Sequence, residues 1–391
     1  MRKIYLDNAA TSWPKPGQVT DAVLHFMRDV GGSAGRSGHS LAVEAGRIVY
    51  DTREALATLF NVPDPLSIIL TSNATAAINQ ALFGLLQPGD HVVTTSMEHN
   101  AVMRPLRYLE SKGVLLTVVP CSPDGRLDVT DLEAALRPDT RLVVLNHASN
   151  VVGTVLPVAD VGRLTASRGI PLLVDAAQTA GARTIDVQEM HIDLLAFTGH
   201  KALLGPQGTG GLVIGSRIDP AGLVPLIRGG TGSRSECEEQ PEFLPDRYES
   251  GTANGPGIAG LGAGVKYVLE RGIADIREHE SRLTEQLIQG LQGISAVRVY
   301  GSGDASQQTA TVSFNIHGLE SSEVAQRLDD EFGVLCRPGL HCAPSAHRTI
   351  GTFPRGTVRF GLSVLNTAEE VEAAIRAVKH IARGARQQEG H

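Results

Sequence analysis

Between residues 66 and 215 the chain alternates short apolar runs with longer amphipathic ones, and this alternation limits the possible folds more than any other feature. The apolar runs fall at 66–70, 91–95, 115–119, 141–145, 171–174, 194–197 and 211–214. Each has strand length and is rich in Val, Ile or Leu, as the buried strands of a mostly parallel sheet are. Helical stretches at 74–86, 101–111 and 158–167 lie between them. Strand–helix alternation of this kind predicts an α/β layer architecture. Two helices are expected ahead of the block, at 19–29 and 41–60. Behind it, residues 228–256 are crowded with Gly, Ser, Pro and Glu, a long loop of the sort that is usually functional or mobile. A helical pair at 258–270 and 274–291 follows. Strands at 296–300, 311–316, 333–336 and 357–362, with helices at 321–331 and 368–382, then suggest a smaller α+β domain. The polar tail 384–391 is expected to fray.

Charge narrows the partners. The chain carries 42 acidic and 35 basic residues, a net charge of -7, with no basic run, so nucleic acid and anionic membrane are poor partners. None of its four cysteines, Cys121, Cys237, Cys336 and Cys342, forms a C-x-x-C pair, which disfavours a zinc knuckle or a redox dithiol. So few cysteines in so long a chain do not resemble a disulfide framework. No apolar run reaches the roughly 18 residues of a membrane span. The first eight residues are too short and polar for a signal segment. A cytoplasmic protein with reduced thiols is the expectation.

The residues with chemistry cluster just after the apolar runs. Lys201, in Thr198-Gly199-His200-Lys201, follows the run 194–197, where desolvation would lower its pKa and suit it to condensing with an aldehyde. An isolated lysine there would more simply be surface. Asp175 ends the run 171–174, and ligands of open α/β sheets bind beyond the carboxyl ends of strands. An acid at that place can pair with a protonated pyridine nitrogen, though it could equally cap a helix. Thr71-Ser72-Asn73-Ala74-Thr75 stands at a helix start, which suits a cap and a phosphate alike. His99, after the run 91–95, could stack on a ring or shuttle a proton. Arg337-Pro338-Gly339-Leu340-His341-Cys342-Ala343-Pro344 reads as a loop with an accessible thiol, and the adjacent histidine could help hold a thiolate. Cys121 and Cys336 look buried or incidental, and Cys237, among Glu236, Glu238 and Glu239, is a poor nucleophile. The glycine-rich runs 208–211 and 260–264 lack the strand–GxGxxG–helix unit of a dinucleotide site. His341, Cys342 and His347 are too few for a metal centre, and none is expected.

Taken in order, these segments resemble those of the class V aminotransferase superfamily of fold-type I pyridoxal-5'-phosphate (PLP) enzymes, and within it the cysteine desulfurases and selenocysteine lyases. The resemblance begins at Tyr5-Leu6-Asp7-Asn8-Ala9-Ala10-Thr11. It runs through residues 71–79, Glu98-His99, His147-Ala148-Ser149-Asn150, Asp175-Ala176-Ala177-Gln178 and Thr198–Lys201, and it closes with Ser250-Gly251-Thr252, the Cys342 loop and Val358-Arg359. It implies a large, mostly parallel, seven-stranded α/β domain over residues 15–257. A smaller α+β domain would comprise residues 1–14 and 258–391. Lys201 would carry the Schiff base, Asp175 would hold the pyridinium, Gln178 would bond the ring hydroxyl, and His99 would stack on the ring and act as acid or base. Thr75, Thr198 and His200 would bind the phosphate, Ala74 and Asn150 would also contact the cofactor, and Thr252 would reach the phosphate of a partner subunit in a homodimer. Asn8, Ala10, Asn150 and His341 would position the substrate, with Arg359 on its carboxylate. Cys342 would accept sulfur as a persulfide from L-cysteine, or selenium from L-selenocysteine, and pass it to an acceptor protein, for iron–sulfur cluster assembly or another sulfur pathway. The short Cys342 loop resembles that of the sulfur-mobilisation branch. Residues 229–239 match no feature of the family. A transferase, lyase or epimerase of the same superfamily that does not use Cys342 is the competing reading.

Overall fold

The computed structural model describes residues 3–35 and 37–389, with side chains to residue 384. In chain order it begins with β1 (Ile4–Tyr5), α1 (Gly17–His25) and α2 (Ser40–Phe60). An alternating block follows: β2 (Ile68–Thr71), α3 (Ala74–Leu85), β3 (His91–Thr95), α4 (Asn100–Glu110), β4 (Leu115–Val119), α5 (Val129–Ala135), β5 (Thr140–Asn146), α6 (Val158–Ser167), β6 (Leu172–Asp175), β7 (Leu194–Thr198) and β8 (Gly210–Ile214). Beyond a long irregular stretch come α7 (Gly255–Arg271), α8 (Ile273–Gln292), β9 (Val297–Tyr300), β10 (Thr311–Ile316), α9 (Ser321–Phe332), β11 (Val334–Leu335), β12 (Arg337–Gly339), α10 (Pro344–Thr349), β13 (Thr357–Gly361) and α11 (Ala368–Glu389).

The seven expected strands form one sheet in the order β2-β8-β7-β6-β5-β3-β4. It is the large, mostly parallel sheet of an α/β fold: only β8 runs antiparallel, to β2 and β7. β3, β5, β6, β7 and β8 are almost wholly buried, because helices cover both faces and leave no wet side for alternation. Apolar clusters line the two faces, one around Phe60, Val143, Val174 and Phe197, the other around Ile78, Leu82, Leu142 and Leu194. β4 departs from the expectation of burial. It is the edge strand, and Leu115 is 43% exposed with only Val119 buried.

The C-terminal third builds a four-stranded antiparallel sheet, β12-β13-β10-β9, whose core of Val312, Phe314 and Phe360 is covered by α8 and α11. The N-terminal β1 pairs in parallel with β11, so the first residues lie beside the last third of the chain. α7, which the expected boundary at 257/258 assigns to the small domain, packs on α1 and α2, and Leu261 and Val265 enter the core of the large sheet. By packing it belongs with the large unit. The tail expected to fray continues α11 as far as Glu389, while Gly390 and His391 lie outside the described residues. The short α5 escaped the sequence pattern. It has seven residues and depends on Asp128 accepting from the Thr130 amide (2.9 Å).

Candidate active site

The parallel strands deliver their chemistry at their carboxyl ends, as expected of an open α/β sheet. Asn146 ends β5, Asp175 ends β6 and Thr198 ends β7, while His99 caps α4 just beyond β3. Register aligns them: Asn146 stands opposite Asp175, and Asp175 opposite Ala196. Together they line a cavity of about 290 Å³ that also takes in Ala10, Ala74, Thr75, Asn150, Gln178, His200, Lys201, His341 and Arg359. Next to it, the close approach of β8 to β7 and to the start of α3 requires glycine at 210. A Cβ there would stand 2.6 Å from the Phe197 carbonyl and 2.8 Å from Asn73 Cα.

Burial sets the electrostatics. Desolvation pulls the Lys201 amine down to about 8, opposed by the charge of Asp175. Burial pushes the Asp175 carboxyl up, partly countered by the Ala177 amide that donates to it at 2.9 Å. His99 is pulled down to about 4, chiefly by desolvation. Its Nδ1 accepts from the Ala101 amide (3.0 Å), so the neutral ring carries its proton on Nε2. Gln178 donates to the Ala9 carbonyl (3.0 Å), which fixes its amide in the wall. Arg359 is 1% exposed, and its two terminal nitrogens donate to the Asn150 carbonyl and to Asp7 Oδ1, both at 2.9 Å.

The Cys342 loop closes one side of the cavity. Cys342 is exposed, and both it and His341 adopt left-handed backbone (φ 59° and 49°), which costs about 1–3 kcal/mol for each non-glycine residue. The loop is held by Asn100, whose amide donates to the Cys342 carbonyl (2.8 Å), and by Asn150, whose side chain donates to the His341 carbonyl (2.7 Å). His341 does not serve the thiol as expected, because both of its ring nitrogens are engaged elsewhere, with the Arg337 carbonyl and with His347. Arg337 takes that place: its Nη2 lies 3.5 Å from Cys342 Sγ, and it lines the cavity.

Two of the expected site residues stand apart. Asn8 does not line the main cavity but a small one beside it, shared with Gln178 and Lys201, and its amide donates to Gly361 and Asn366 while its oxygen accepts from the Trp13 amide. Thr252 is exposed and lines a separate cavity of about 620 Å³ with Leu226 and Ile227. Conversely, Asp7 and Arg337 lay inside motifs read from the sequence without a role assigned to them. A charged residue directly after the short apolar stretch Ile4-Tyr5-Leu6 is the signal for Asp7; the spacing of Arg337 from Cys342 carries none.

The donors fit a phosphorylated pyridine aldehyde. Thr198 Oγ1 and His200 Nδ1 are buried without a partner and face the cavity beside the start of α3, where backbone amides favour an anion. Asp175 supplies an acid for a ring nitrogen, and Lys201 an amine for an aldehyde. Residues 4–374 match the model of the class V aminotransferase family, a family of PLP enzymes, and fold and site together define that class. A protein named probable cysteine desulfurase from Methanothermobacter thermautotrophicus is 35% identical over 97% of this chain and 94% of its own. A cysteine desulfurase from Yersinia pseudotuberculosis is 32% identical over 97% of this chain and 93% of its own. The apo structure of a cysteine desulfurase from Thermococcus onnurineus superposes with a TM-score of 0.92, at 32% identity, over 98% of this chain and 95% of its own. The chain belongs to the cysteine desulfurase family within class V.

Proposed function

We propose that the chain is a PLP-dependent cysteine desulfurase in which Cys342 accepts the sulfur. The observation that carries this reading is the meeting of Lys201, Asp175 and Arg359 in one cavity, with an exposed Cys342 beside it in contact with Arg337. When bound, PLP supplies an aldehyde that captures the substrate amine and a ring that withdraws electrons from Cα. Thr75, Thr198 and His200 would hold its phosphate, Asp175 its ring nitrogen and Gln178 its hydroxyl. Lys201, with its amine near 8, is able to take a proton from Cα and return one. His99 offers Nε2–H above the same space. Arg359, held by Asp7 and Asn150, presents a fixed guanidinium to the substrate carboxylate. The Cys342 sulfur, in contact with the Arg337 guanidinium, attacks the substrate sulfur. The Cβ–S bond breaks, an S–S bond forms, Cβ gains a proton, and L-alanine leaves with the protein as persulfide.

Thr252 would act in a homodimer, since it lies outside its own subunit's cavity beside the exposed Leu226 and Ile227. The persulfide would pass to an acceptor protein. A reducing cytoplasm suits four cysteines that are all unpaired. Among the described residues, no helix is long and apolar enough to cross a membrane. The test is single-turnover alanine and persulfide formation from L-cysteine, comparing the wild type with Cys342→Ala, both loaded with PLP. The wild type makes both products, and the variant keeps the cofactor absorbance and makes neither. Equal turnover by the two would refute Cys342 as acceptor.

A further inference from the structure

The Cys342 loop rests on a buried chain of side chains that starts at His341, on the wall of the cavity, and runs away from it through His347 and Thr352, which do not line it. His341 Nε2 lies 3.0 Å from the Arg337 carbonyl, His341 Nδ1 lies 3.2 Å from His347 Nε2, and His347 Nδ1 lies 2.7 Å from Thr352 Oγ1. His347 is 0% exposed and His341 2%, and the two rings stack with centroids 5.3 Å apart. The direction of every bond follows from one end. A carbonyl only accepts, so His341 Nε2 must carry the hydrogen and Nδ1 must accept. His347 Nε2 must then donate, which leaves His347 Nδ1 to accept from the Thr352 hydroxyl. Burial pulls both rings down, His347 to about 4, so the chain stays neutral around pH 7.

We propose that His347, backed by Thr352, is a positioning residue for the sulfur-accepting thiol. The chain ties α10 to both ends of the Arg337–Cys342 turn. It fixes the Arg337 carbonyl, and with it the residue whose guanidinium meets Cys342 Sγ. It also fixes the ring of His341, one of the two left-handed residues that aim the thiol. The proposal rests on the reading of Cys342 as sulfur acceptor. It assigns His347 no contact with substrate or cofactor.

The tautomer makes the test specific. In a His347→Gln variant the amide nitrogen stands where Nε2 stood and still donates to His341, whereas His347→Asn places its amide at the Nδ1 position and His347→Phe donates nothing. Thr352→Val removes only the outermost hydroxyl. On PLP-loaded protein three quantities would be measured: iodoacetamide alkylation of the Cys342 peptide by mass spectrometry, single-turnover alanine release from L-cysteine, and exchange of the α-hydrogen of L-alanine in deuterated water. The last needs no thiol. Misplacing a reacting atom by an ångström costs about 100-fold. Alanine release should therefore fall by that order in His347→Phe and His347→Asn, with an altered alkylation rate and unchanged exchange. His347→Gln should restore most of the loss, and Thr352→Val should show a smaller loss of the same kind. Wild-type alanine release in the Phe variant, a parallel fall in exchange, or no rescue by Gln would overturn the proposal. If His347→Phe fails to fold, the Gln and Val variants decide: loss of α-hydrogen exchange along with alanine release in both marks a merely structural role. Wild-type alanine release by Cys342→Ala would instead remove the reading beneath it.

Discussion

Asp7→Ala should weaken the protein and its grip on substrate together. Arg359 is 1% exposed, its Nε has no partner, and Asp7 is the counter-ion of its guanidinium, at 2.9 Å. At that distance and an effective dielectric near 20, the gross attraction is about 6 kcal/mol. Much of it only offsets the cost of taking the guanidinium out of water. Removing one partner of such a pair nonetheless costs about 3–5 kcal/mol, because the remaining charge stays buried. The Asp7 side chain is 23% exposed, so water can enter the vacated space and the loss should fall at the lower end, about 3 kcal/mol. Asp7→Asn keeps an accepting oxygen and should lose about half as much. Urea unfolding of the PLP-loaded protein, followed by far-ultraviolet circular dichroism, reads the stability. Alanine formation against L-cysteine concentration reads the substrate, and KM should rise in the same order, Asn below Ala. If Asp7→Ala shifts neither the midpoint nor KM beyond Asp7→Asn, then Asp7 does not hold Arg359 and the reasoning fails.

Glu98, fully buried, has its carboxyl pushed up to about 8 by desolvation, against 4.5 in a free chain. The folded state therefore keeps a proton that the unfolded chain gives up, and stability falls as pH climbs from 4.5 to about 8. Glu98→Gln should remove this component, so its thermal midpoint gains on the wild type across that window; parallel slopes for the two proteins would contradict the assignment. Gly356 has φ 75°, and a Cβ there would lie 2.3 Å from the Gly339 carbonyl oxygen, between β12 and β13. Gly356→Ala should cost about 1–3 kcal/mol in backbone strain alone and displace the Cys342 turn. Alanine release should drop while the cofactor absorbance persists, and full activity in this variant would show that the two strands part without consequence.

Much of the site was legible because its chemistry sits at the ends of local patterns. A run of buried aliphatic residues marks a strand, and an α/β sheet binds ligands where such strands end. Asp175, Thr198 and His99 could therefore be placed by reading along the chain, and Lys201 follows β7 directly. The same period yields all seven strands of the large sheet. It does not tell which is the edge, so the exposure of β4 was missed. Nor does it tell where a polar tail stops being helical, so α11 runs past its expected end. What the sequence by itself determined is the layering of the fold and the residues offered at the strand ends, since both follow from burial over a few residues. What only the tertiary structure decided is pairing across distance. Asp7 holds Arg359 from the other end of the chain, Asn8 spends its amide on Gly361 and Asn366, and His341 turns from the thiol toward His347 while Arg337 replaces it. These choices depend on which buried donors and acceptors meet after the chain has closed, and no local period encodes that meeting.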